Sequence, residues 1–401
     1  MDSSNFLQEL EMLEKRFDAL SPELELTVRD PELGVEGYVV VWTTLAAVGG
    51  PLGRLGKGGT RITPSVSLEE IRTLARTMAL KNAAAGLPLG GAKSGLRADP
   101  TDPLFEKRYR RFVSLVQPVL AERGGLFGGF GFDIGGSPIH ALWACDELKS
   151  TRSFTGKPVE LGGTDYDREG IAGYGVVVAA VATLKFREED IKQQTVAIQG
   201  LGAMGAAIFR YILEEGGSVT WISDPRIGGT FNLTPSLLQK ISASVVNLKL
   251  EQTEELLKGE KAFPLDDVLY KKVDCLFPAA LQGVITKDNV PKLNTRYIFE
   301  AANNPCTEEA RKLLHESGVT LVPDFIANPG GIIAAFVEMS STVTPDENIR
   351  TRKNVQDAKK LTRERISANV ETTLTISSEK NVSPVQAGKY IALKNIFRRN
   401  P

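Results

Sequence analysis

The chain has 401 residues, of which 42% are hydrophobic and 24% charged, and its formal net charge is −1; a chain of this size buries a sizeable core and is expected to divide into two or three domains. The near-zero charge excludes a basic surface for nucleic acid, and no apolar stretch is long enough to cross a bilayer. The acidic, amphipathic N-terminus and three cysteines without metal-ligand spacing predict a cytoplasmic protein that has no metal site and binds no membrane.

The first third of the chain combines a strand, a helix and glycine-rich loops. GYVVVWTTLAA, near residues 36–46, predicts a buried strand bounded by glycines. SLEEIRTLARTMALKNAAAG predicts a helix that begins with a Ser67/Glu70 capping box and ends at Gly86. The glycine-dense segment GGLFGGFGFDIGG (124–136) supports neither a helix nor a core. We therefore expect it to bring its backbone, and Asp133 within it, close to another group.

Three lysines stand in small-residue settings: Lys57 in GKGGTR, Lys81 in ALKNA and Lys93 in GGAKSG. An ammonium in such a setting can bind a carboxylate or, when it is desolvated, act as a base. Lys81 is predicted in the last turn of the helix, where complementing the helix dipole is an alternative role. Because the chain has only two histidines, acid–base chemistry is expected from lysine and carboxylate, with Lys93 and Asp133 as the pair.

The middle of the chain alternates strands with helices. TVAIQ (195–199), SVTWISD, VDCLFPA, YIFEAAN and VTLVPD predict short buried strands, and a helix that ends near Gly216 follows the first of them. This alternation predicts a parallel, doubly wound sheet, in which ligands lie at the carboxyl ends of the strands.

The turn after the first of these strands is GLGAMG, which has the G-x-G-x-x-G spacing and is followed by Asp224 at the end of the next strand. This context predicts a dinucleotide site, and the alternative is a doubly wound domain that binds no nucleotide. Asp224 is expected to bind the adenosine ribose and repel a 2′-phosphate, which favours NAD, while Arg226 leaves NADP possible. The residues of this turn that are expected to contact the cofactor are Gly200, Gly202, Ala203, Met204 and Gly205.

Several segments in order along the chain resemble the signature segments of the glutamate/leucine/phenylalanine/valine dehydrogenase family. They are TPSVSLEEIRTLARTMALKNAAAGLPLGGAKSG, FDIGG, VAIQGLGAMG, DCLFPAAL, FEAANNP and VPDFIANPGGIIAAFVE, and they span about residues 36–340. The resemblance implies reversible, NAD(P)-dependent oxidative deamination of an L-amino acid to its 2-oxo acid and ammonia. It also implies a homo-oligomer, commonly a hexamer in the glutamate branch.

The resemblance further implies an α/β fold with two domains. An N-terminal α/β substrate-binding and oligomerisation domain is expected at residues 1–165, with C-terminal helices within 341–401 returning to it. A Rossmann-like, doubly wound nucleotide-binding domain is expected at residues 166–340.

Individual roles also follow from the resemblance. Lys93 matches the catalytic lysine of the family, Asp133 its catalytic aspartate, and Lys81 the lysine that binds the α-carboxylate of the substrate. Lys57 stands where glutamate-specific members place the lysine for the side-chain carboxylate. The remaining positions that match the cofactor side of the family's site are Arg168, Ala279, Asn303 and Asn328.

Two positions depart from the glutamate-type pattern. Ala335 stands where those members carry a serine that helps bind the side-chain carboxylate, and Ala172 replaces a threonine beside the nicotinamide amide. We predict L-glutamate as the substrate because Lys57 is retained. The alternatives are a branched-chain or aromatic amino acid dehydrogenase, or a regulatory paralogue subunit with weak activity.

Overall fold

A computed structural model gives the structure of the chain, which folds as two compact units. The residues that it describes are 3–158, 161–166, 168–341 and 347–398, with only the backbone for 347–352. The first unit comprises the described residues of 4–166, 332–358 and 389–401. The second unit comprises those of 1–3, 167–331 and 359–388. The start of the predicted polar C-terminal segment, residues 342–346, lies outside the described residues.

The N-terminal part of the chain contains the elements of an α/β layer. Its helices are α1 (Ser3–Asp18), α2 (Leu68–Ala84), α3 (Phe105–Val116) and α4 (Pro138–Leu148). Its strands are β1 (Leu24–Asp30), β2 (Val35–Thr43), β3 (Gly56–Lys57), β4 (Thr60–Thr63), β5 (Gly90–Arg97), β6 (Phe130–Gly131) and β7 (Phe154–Thr155).

The main sheet of the first unit has the order β1-β2-β5-β3, and β4 also pairs with β5. Strand β2 is antiparallel to β1 and β5, whereas β3 and β4 run parallel to β5. Because alternate residues point to opposite faces, Val39 and Val41 pack into one core, and Tyr38 and Val40 pack with α2 on the other face. Burial on both faces explains why the predicted strand reads as an unbroken apolar run.

Helix α2 begins and ends as predicted. The Ser67 hydroxyl accepts the Glu70 backbone N–H at 3.2 Å, and Gly86 follows the helix with a left-handed φ of 64°. Ile71 and Ala75 lie on the buried face. The Glu70 carboxylate does not complete the predicted capping box, since it is bonded to Arg61 instead.

The second unit is a doubly wound domain, as predicted. Its strands are β8 (Val196–Gln199), β9 (Trp221–Asp224), β10 (Gly229–Asn232), β11 (Val273–Pro278), β12 (Thr295–Phe299) and β13 (Thr320–Val322). Its helices include α5 (Ile171–Phe186), α6 (Ala203–Glu214), α7 (Pro235–Val246), α8 (Leu250–Leu256), α9 (Glu308–Glu316) and α10 (Asp324–Ala327).

The sheet of the second unit has the order β10-β9-β8-β11-β12-β13, and its strands are parallel apart from β10, which is antiparallel to β9. The chain leaves β8 for β9 on one side and later returns to β11 on the other side. This reversal is the switch point at which open α/β sheets bind ligands. It places the carboxyl end of β8, and the glycine turn that follows it, at the expected ligand position.

The C-terminal helices differ from the prediction. They are α11 (Gly330–Ser340), α12 (Glu347–Lys380) and α13 (Pro384–Phe397). The C-terminal helices at 341–401 were predicted to pack with the first domain, but residues 359–388 belong to the second unit. The physical reason is the buried face of α12: Ile366 lies so close to Gly175 of α5 that a Cβ there would be 2.8 Å from its Cδ1. In the first unit, Tyr390 and Lys394 of α13 both donate to Glu9 of α1.

No helix in the described part of the chain is both long enough and apolar enough to cross a membrane.

Candidate active site

The structure brings Lys93 and Asp133 together. Lys93 lies on β5, Asp133 lies two residues after β6, and the Lys93 Nζ is 2.9 Å from the Asp133 Oδ2. The two side chains are only 7% and 16% exposed. An ammonium and a carboxylate in this setting attract each other more strongly than a solvated pair does. The two residues that the sequence predicted as the acid–base pair therefore form a nearly dry ion pair.

Glycines let the Asp133 loop lie directly on β4. A Cβ on Gly59 would be 2.4 Å from the Phe132 carbonyl oxygen, and one on Gly135 would be 2.1 Å from the Ile62 carbonyl oxygen. Gly135 also has a left-handed φ of 78°. The Ile62 N–H donates to the Ile134 carbonyl at 2.9 Å. The close approach that the glycine-dense segment predicted is thus an approach to the neighbouring strand, and it fixes Asp133.

Arg61, which the sequence reasoning passed over, is a second cation at Asp133. Its Nε donates to the Asp133 Oδ2 at 3.0 Å, and its Nη1 donates to the Glu70 Oε1 at 2.7 Å. Burial alone would raise the Asp133 pKa, but the charges of Lys93 and Arg61 outweigh burial and hold that pKa below its ordinary value. A signal was present in GKGGTR, where Arg61 stands four residues after Lys57.

Lys57 is buried, and its ammonium is bonded to the backbone. Its side chain is 1% exposed, and its ammonium donates to the carbonyls of Gly129 at 2.8 Å, Phe130 at 2.5 Å and Gly58 at 3.3 Å. Since a lysine ammonium has three N–H donors, these backbone oxygens take up its capacity in this arrangement. Burial is the main cause that lowers the Lys57 pKa to about 7, with Glu338 opposing the shift. Lys57 is therefore bonded to the glycine-dense segment, and its binding of a substrate carboxylate stays a prediction.

The two other predicted substrate residues lie in helices of the first unit. Lys81 is half-buried in the last turn of α2, as predicted. Ala335 is 2% exposed in α11.

A buried ion pair that the sequence did not reveal ties α11 to the loop after β7. The Lys157 ammonium is bonded to Glu338, and both residues are buried. Glu338 also accepts the backbone N–H groups of Gly156 and Thr164, each at 3.1 Å, and the Thr164 hydroxyl at 2.9 Å. A carboxylate with this many donors fixes the backbone at Gly156 and at Thr164 relative to α11.

Each glycine of the GLGAMG turn has a separate geometric reason. Gly200 has a left-handed φ of 86°. A Cβ on Gly205 would be 1.8 Å from the Gly200 carbonyl oxygen, so helix α6 can approach the strand only with glycine there. At Gly202, by contrast, a Cβ would meet the Arg226 Nη2 only at 4.0 Å. The space beside Gly202 is left open by the protein, at the N-terminus of α6, where Ala203 is exposed and Met204 is half-exposed.

Asp224 ends β9, as predicted, and it accepts hydrogen bonds from the protein. Its Oδ1 accepts the Arg226 Nε and the Arg226 backbone N–H, both at 2.9 Å. Its Oδ2 accepts the Leu201 N–H at 2.8 Å and the Arg226 Nη2 at 3.0 Å. Burial alone would raise the Asp224 pKa, but these bonds outweigh it and keep the pKa below its ordinary value. Both carboxylate oxygens are thus engaged, and a cation covers the group that was predicted to repel a 2′-phosphate.

The remaining predicted cofactor residues also lie in the second unit. Arg168 and Ala203 line a common pocket of about 460 Å³. The Ala279 N–H donates to the Gln199 carbonyl at 2.9 Å, which joins the loop after β11 to the end of β8. The Asn328 Nδ2 donates to the Ala301 carbonyl at 3.0 Å and to the Asn303 Oδ1 at 3.4 Å. The structure thus brings Asn303 and Asn328 together.

The polar groups at these strand ends fit a nucleotide. Within the described residues, the buried oxygens without a hydrogen-bond partner include Gln199 Oε1 at the end of β8, Ser223 Oγ in β9 and Asn328 Oδ1. A buried acceptor without a donor costs about 1–3 kcal/mol. Ribose hydroxyls and a carboxamide are donors that would satisfy such oxygens, and the open space at Gly202 suits a pyrophosphate.

Over the residues that the structure describes, no group of histidine, cysteine and carboxylate side chains could hold a metal ion. The cysteines are buried free thiols, and their pKa values are raised mainly by burial.

A doubly wound nucleotide-binding unit, together with a second α/β unit that carries a nearly dry lysine–aspartate pair, defines a nicotinamide-dependent oxidoreductase. Two family models match the chain: "Glutamate/Leucine/Phenylalanine/Valine dehydrogenase" over residues 162–400 and "Glu/Leu/Phe/Val dehydrogenase, dimerisation domain" over residues 25–125. The chain belongs to the glutamate/leucine/phenylalanine/valine dehydrogenase family and is an amino acid dehydrogenase.

Curated relatives and a solved structure agree with this family. The chain is 36% identical over 293 residues to the NADP(+)-dependent glutamate dehydrogenase of Pyrobaculum calidifontis. This match covers 70% of this chain and 68% of that protein. It is 30% identical over 390 residues to glutamate dehydrogenase A2 of Halobacterium salinarum, covering 93% and 89%. The fold is similar to that of the hetero-hexameric glutamate dehydrogenase from Thermus thermophilus (Leu bound form), with a TM-score of 0.74, 23% identity and coverage of 99% and 96%.

Proposed function

We propose that this chain catalyses the reversible oxidative deamination of L-glutamate to 2-oxoglutarate and ammonia, with a nicotinamide dinucleotide as the hydride acceptor. The observation that carries the proposal is the buried contact of 2.9 Å between Lys93 and Asp133. The choice of glutamate is supported by the relatives at 30–36% identity, which are named glutamate dehydrogenases.

Lys93 and Asp133 supply the proton transfers of this reaction. In the oxidative direction the substrate loses a hydride from Cα and a proton from its nitrogen, which gives the 2-imino acid. The nicotinamide ring, when bound, accepts the hydride. Lys93 in its amine form then takes a proton from the water that attacks the imine carbon, and Asp133 relays a proton to the departing nitrogen. Loss of ammonia leaves the 2-oxo acid.

Cations of the first unit bind the substrate carboxylates in this proposal. Lys81, at the end of α2, pairs with the α-carboxylate, as the family resemblance implies. Lys57 can reach the side-chain carboxylate only by exchanging one of its carbonyl partners for it, because its three donors are engaged. Ala335 supplies no hydrogen bond of its own, so the position of Lys57 decides how strongly the second carboxylate is held.

We propose that the cofactor site accepts NADP as well as NAD. The sequence favoured NAD because a carboxylate at position 224 would repel a 2′-phosphate. Support for NADP comes from Arg226, whose side chain is 55% exposed and bonded to both oxygens of Asp224. Its exposed guanidinium can pair with a phosphate.

Self-assembly is part of the proposal. The match of residues 25–125 to a dimerisation-domain model supports a homo-oligomer, with a hexamer as the expected form. The mass of the purified chain in solution, measured by light scattering, tests this, and a monomer at all concentrations contradicts it.

The decisive assay measures oxidation of NADPH and NADH with ammonia and a panel of 2-oxoglutarate, 4-methyl-2-oxopentanoate and phenylpyruvate. We expect 2-oxoglutarate to have the highest kcat/KM. Turnover of only the apolar oxo acids would overturn the choice of glutamate. Absence of turnover with every member of the panel would overturn the enzymatic proposal and favour a regulatory subunit.

A further inference from the structure

We propose that Arg61 is a positioning residue for Asp133: its guanidinium fixes the carboxylate and keeps it paired when Lys93 passes its proton or its hydrogen bond to the substrate. This inference rests on the proposed function, in which Asp133 relays protons. It concerns a residue that neither the motifs nor the family resemblance had singled out.

Arg61 and Lys93 converge on one oxygen atom. The Arg61 Nε lies 3.0 Å and the Lys93 Nζ 2.9 Å from the same Asp133 Oδ2. Their convergence follows from strand register, because β4 pairs in parallel with β5 so that Arg61 stands opposite Gly95, two residues beyond Lys93. Residues two apart on a strand share a face, and so do paired residues on neighbouring strands. The two cations therefore project from the same face of the sheet.

Glu70 holds a different nitrogen of the guanidinium. It accepts the Arg61 Nη1 at 2.7 Å and lies in the first turn of α2. The backbone N–H of Glu70 is itself bonded to the Ser67 hydroxyl. Arg61 is thus fixed at two points, by Asp133 and by a residue anchored in a helix start, and its side chain is only 16% exposed. Because both contacts already restrain the long Arg61 side chain, it has less conformational entropy to lose when the site forms.

The backbone on either side of Arg61 is also fixed. The Thr60 and Ser94 hydroxyls lie 2.8 Å apart and share a hydrogen bond between β4 and β5. Ile62 donates to Ile134, the residue after Asp133. The distance between Arg61 and Asp133 is therefore set by backbone contacts as well as by the ion pair.

The chemical need for Arg61 follows from the proton traffic. When Lys93 is in its amine form or turns to the substrate, an otherwise unpaired Asp133 would be a buried carboxylate without a cation, which is costly. A guanidinium keeps its proton in proteins, whereas a lysine can exchange a proton with a substrate. Arg61 therefore supplies the permanent charge, and Lys93 is left free for proton transfer.

The charged groups around Asp133 come from different elements. Lys93 faces it from β5 and Arg61 faces it from β4, and Glu70 of α2 is paired with Arg61. Both cations lower the Asp133 pKa against the effect of burial. Removing Arg61 therefore moves the pKa of Asp133 upward.

The test compares Arg61→Gln and Arg61→Lys with the wild-type full-length protein across the pH range. For Arg61→Gln we expect kcat to fall about 10- to 100-fold, with KM for 2-oxoglutarate and for the cofactor changed by less than about threefold. The acid limb of the kcat profile should move to higher pH. Arg61→Lys should restore part of kcat. Glu70→Gln, which loosens the guanidinium without removing it, should give a smaller loss in the same direction.

Arg72→Gln is the matched control, because Arg72 lies one turn into α2 and makes its ion pairs with Glu25 and Glu69 at the surface. It should leave kcat and its pH profile unchanged. A higher KM for 2-oxoglutarate with unchanged kcat in Arg61→Gln would show that Arg61 binds substrate instead. A loss of kcat with an unmoved acid limb would show a merely structural role. Either result overturns the inference.

A second measurement does not depend on activity. Carbon-13 NMR of aspartate carboxyls, with the Asp133 signal assigned through Asp133→Asn, follows the titration of this group directly. Arg61→Gln should raise the midpoint of that titration, and Glu70→Gln should raise it less. An unchanged midpoint would overturn the role of Arg61 even in an active enzyme, whereas a raised midpoint in a protein without turnover would refute only the proposed function. If Arg61→Gln does not fold, the Arg61→Lys and Glu70→Gln titrations decide the matter.

Discussion

The Lys93 ammonium lies 2.9 Å from the Asp133 carboxylate, although 39 residues, 94 to 132, separate the two in the chain. Strand β5 carries the lysine, and the loop after β6 carries the aspartate. Because Arg61 also contacts Asp133, the removal of Lys93 does not leave a buried carboxylate without a cation.

We accordingly expect Lys93→Ala and Asp133→Asn to abolish turnover but not folding. Loss of an acid–base group lowers kcat by about 10²- to 10⁴-fold. Circular dichroism and thermal unfolding should show a folded protein for both variants, and Lys149→Ala, which removes an exposed lysine, serves as the control. Retention of more than about a tenth of wild-type kcat in Lys93→Ala would refute the role of this residue.

The lowered pKa of Lys57 predicts an unusual dependence of the stability of the folded chain on pH. Burial lowers its pKa to about 7 in the folded chain, against about 10.4 in an unfolded chain. Between these two values the unfolded state binds the extra proton, so the free energy of unfolding rises with pH by up to about 1.4 kcal/mol per pH unit. Below pH 7 both states are protonated and the contribution is constant.

Urea unfolding of the wild type and Lys57→Met at pH 7, 8 and 9 measures this effect. The wild type should gain stability relative to the variant as the pH rises. A difference between the two proteins that stays constant over this range would mean that the Lys57 ammonium keeps its proton when buried.

Two glycines of the GLGAMG turn are expected to have different roles, one in folding and the other in cofactor binding. Gly205→Ala would place a Cβ 1.8 Å from the Gly200 carbonyl oxygen, and we expect it to destabilise the chain by about 1–3 kcal/mol or more. The Cβ of Gly202→Ala would meet no protein atom closer than 4.0 Å, so the melting temperature should not change. Its methyl group would instead stand where a pyrophosphate approaches the backbone, and KM for the dinucleotide should rise about tenfold or more. An unchanged KM in Gly202→Ala would argue against a nucleotide at this turn.

Arg226 is expected to decide between the two dinucleotides. Arg226→Ala removes the cation that covers Asp224, so the bare carboxylate should repel a 2′-phosphate. We expect KM for NADPH to rise about tenfold, while KM for NADH changes by less than about twofold. Steady-state kinetics with both cofactors measure the ratio, and Arg296→Ala, near the start of β12 and paired with Glu189, is a control. Equal changes for the two cofactors would place the 2′-phosphate elsewhere.

The doubly wound unit and the Lys93–Asp133 contact were predictable because both leave local marks in the sequence. Strand–turn–helix alternation with GLGAMG identifies the sheet and its ligand end. The glycines around Lys93 and Asp133 indicate that the backbone packs closely at both residues. Helix α2 was also marked locally, by Ser67 at its start and Gly86 after its end.

Other features depend on partners that are distant in sequence. The role of Arg61 depends on the register between β4 and β5, which no local pattern specifies. The carbonyls that hold the Lys57 ammonium belong to residues 129 and 130, which are distant from it in the sequence. Asp224 was expected to bind the adenosine ribose, and its pairing with Arg226, which was not predicted, depends on a side-chain conformation. The hydrophobic periodicity of a sequence specifies neither the register between distant strands nor the rotamers of side chains.

The loop that carries Asp133 rests on β4 at Gly59 and Gly135, where not even a methyl group fits between the two backbones. The closest contacts at this junction are with backbone carbonyl oxygens, which have no rotamers to rearrange. Substitutions that reshape the apolar core of the first unit should therefore leave the separation of strand and loop intact. Tolerance to core mutation and intolerance to alanine at these two glycines should occur together in the same protein.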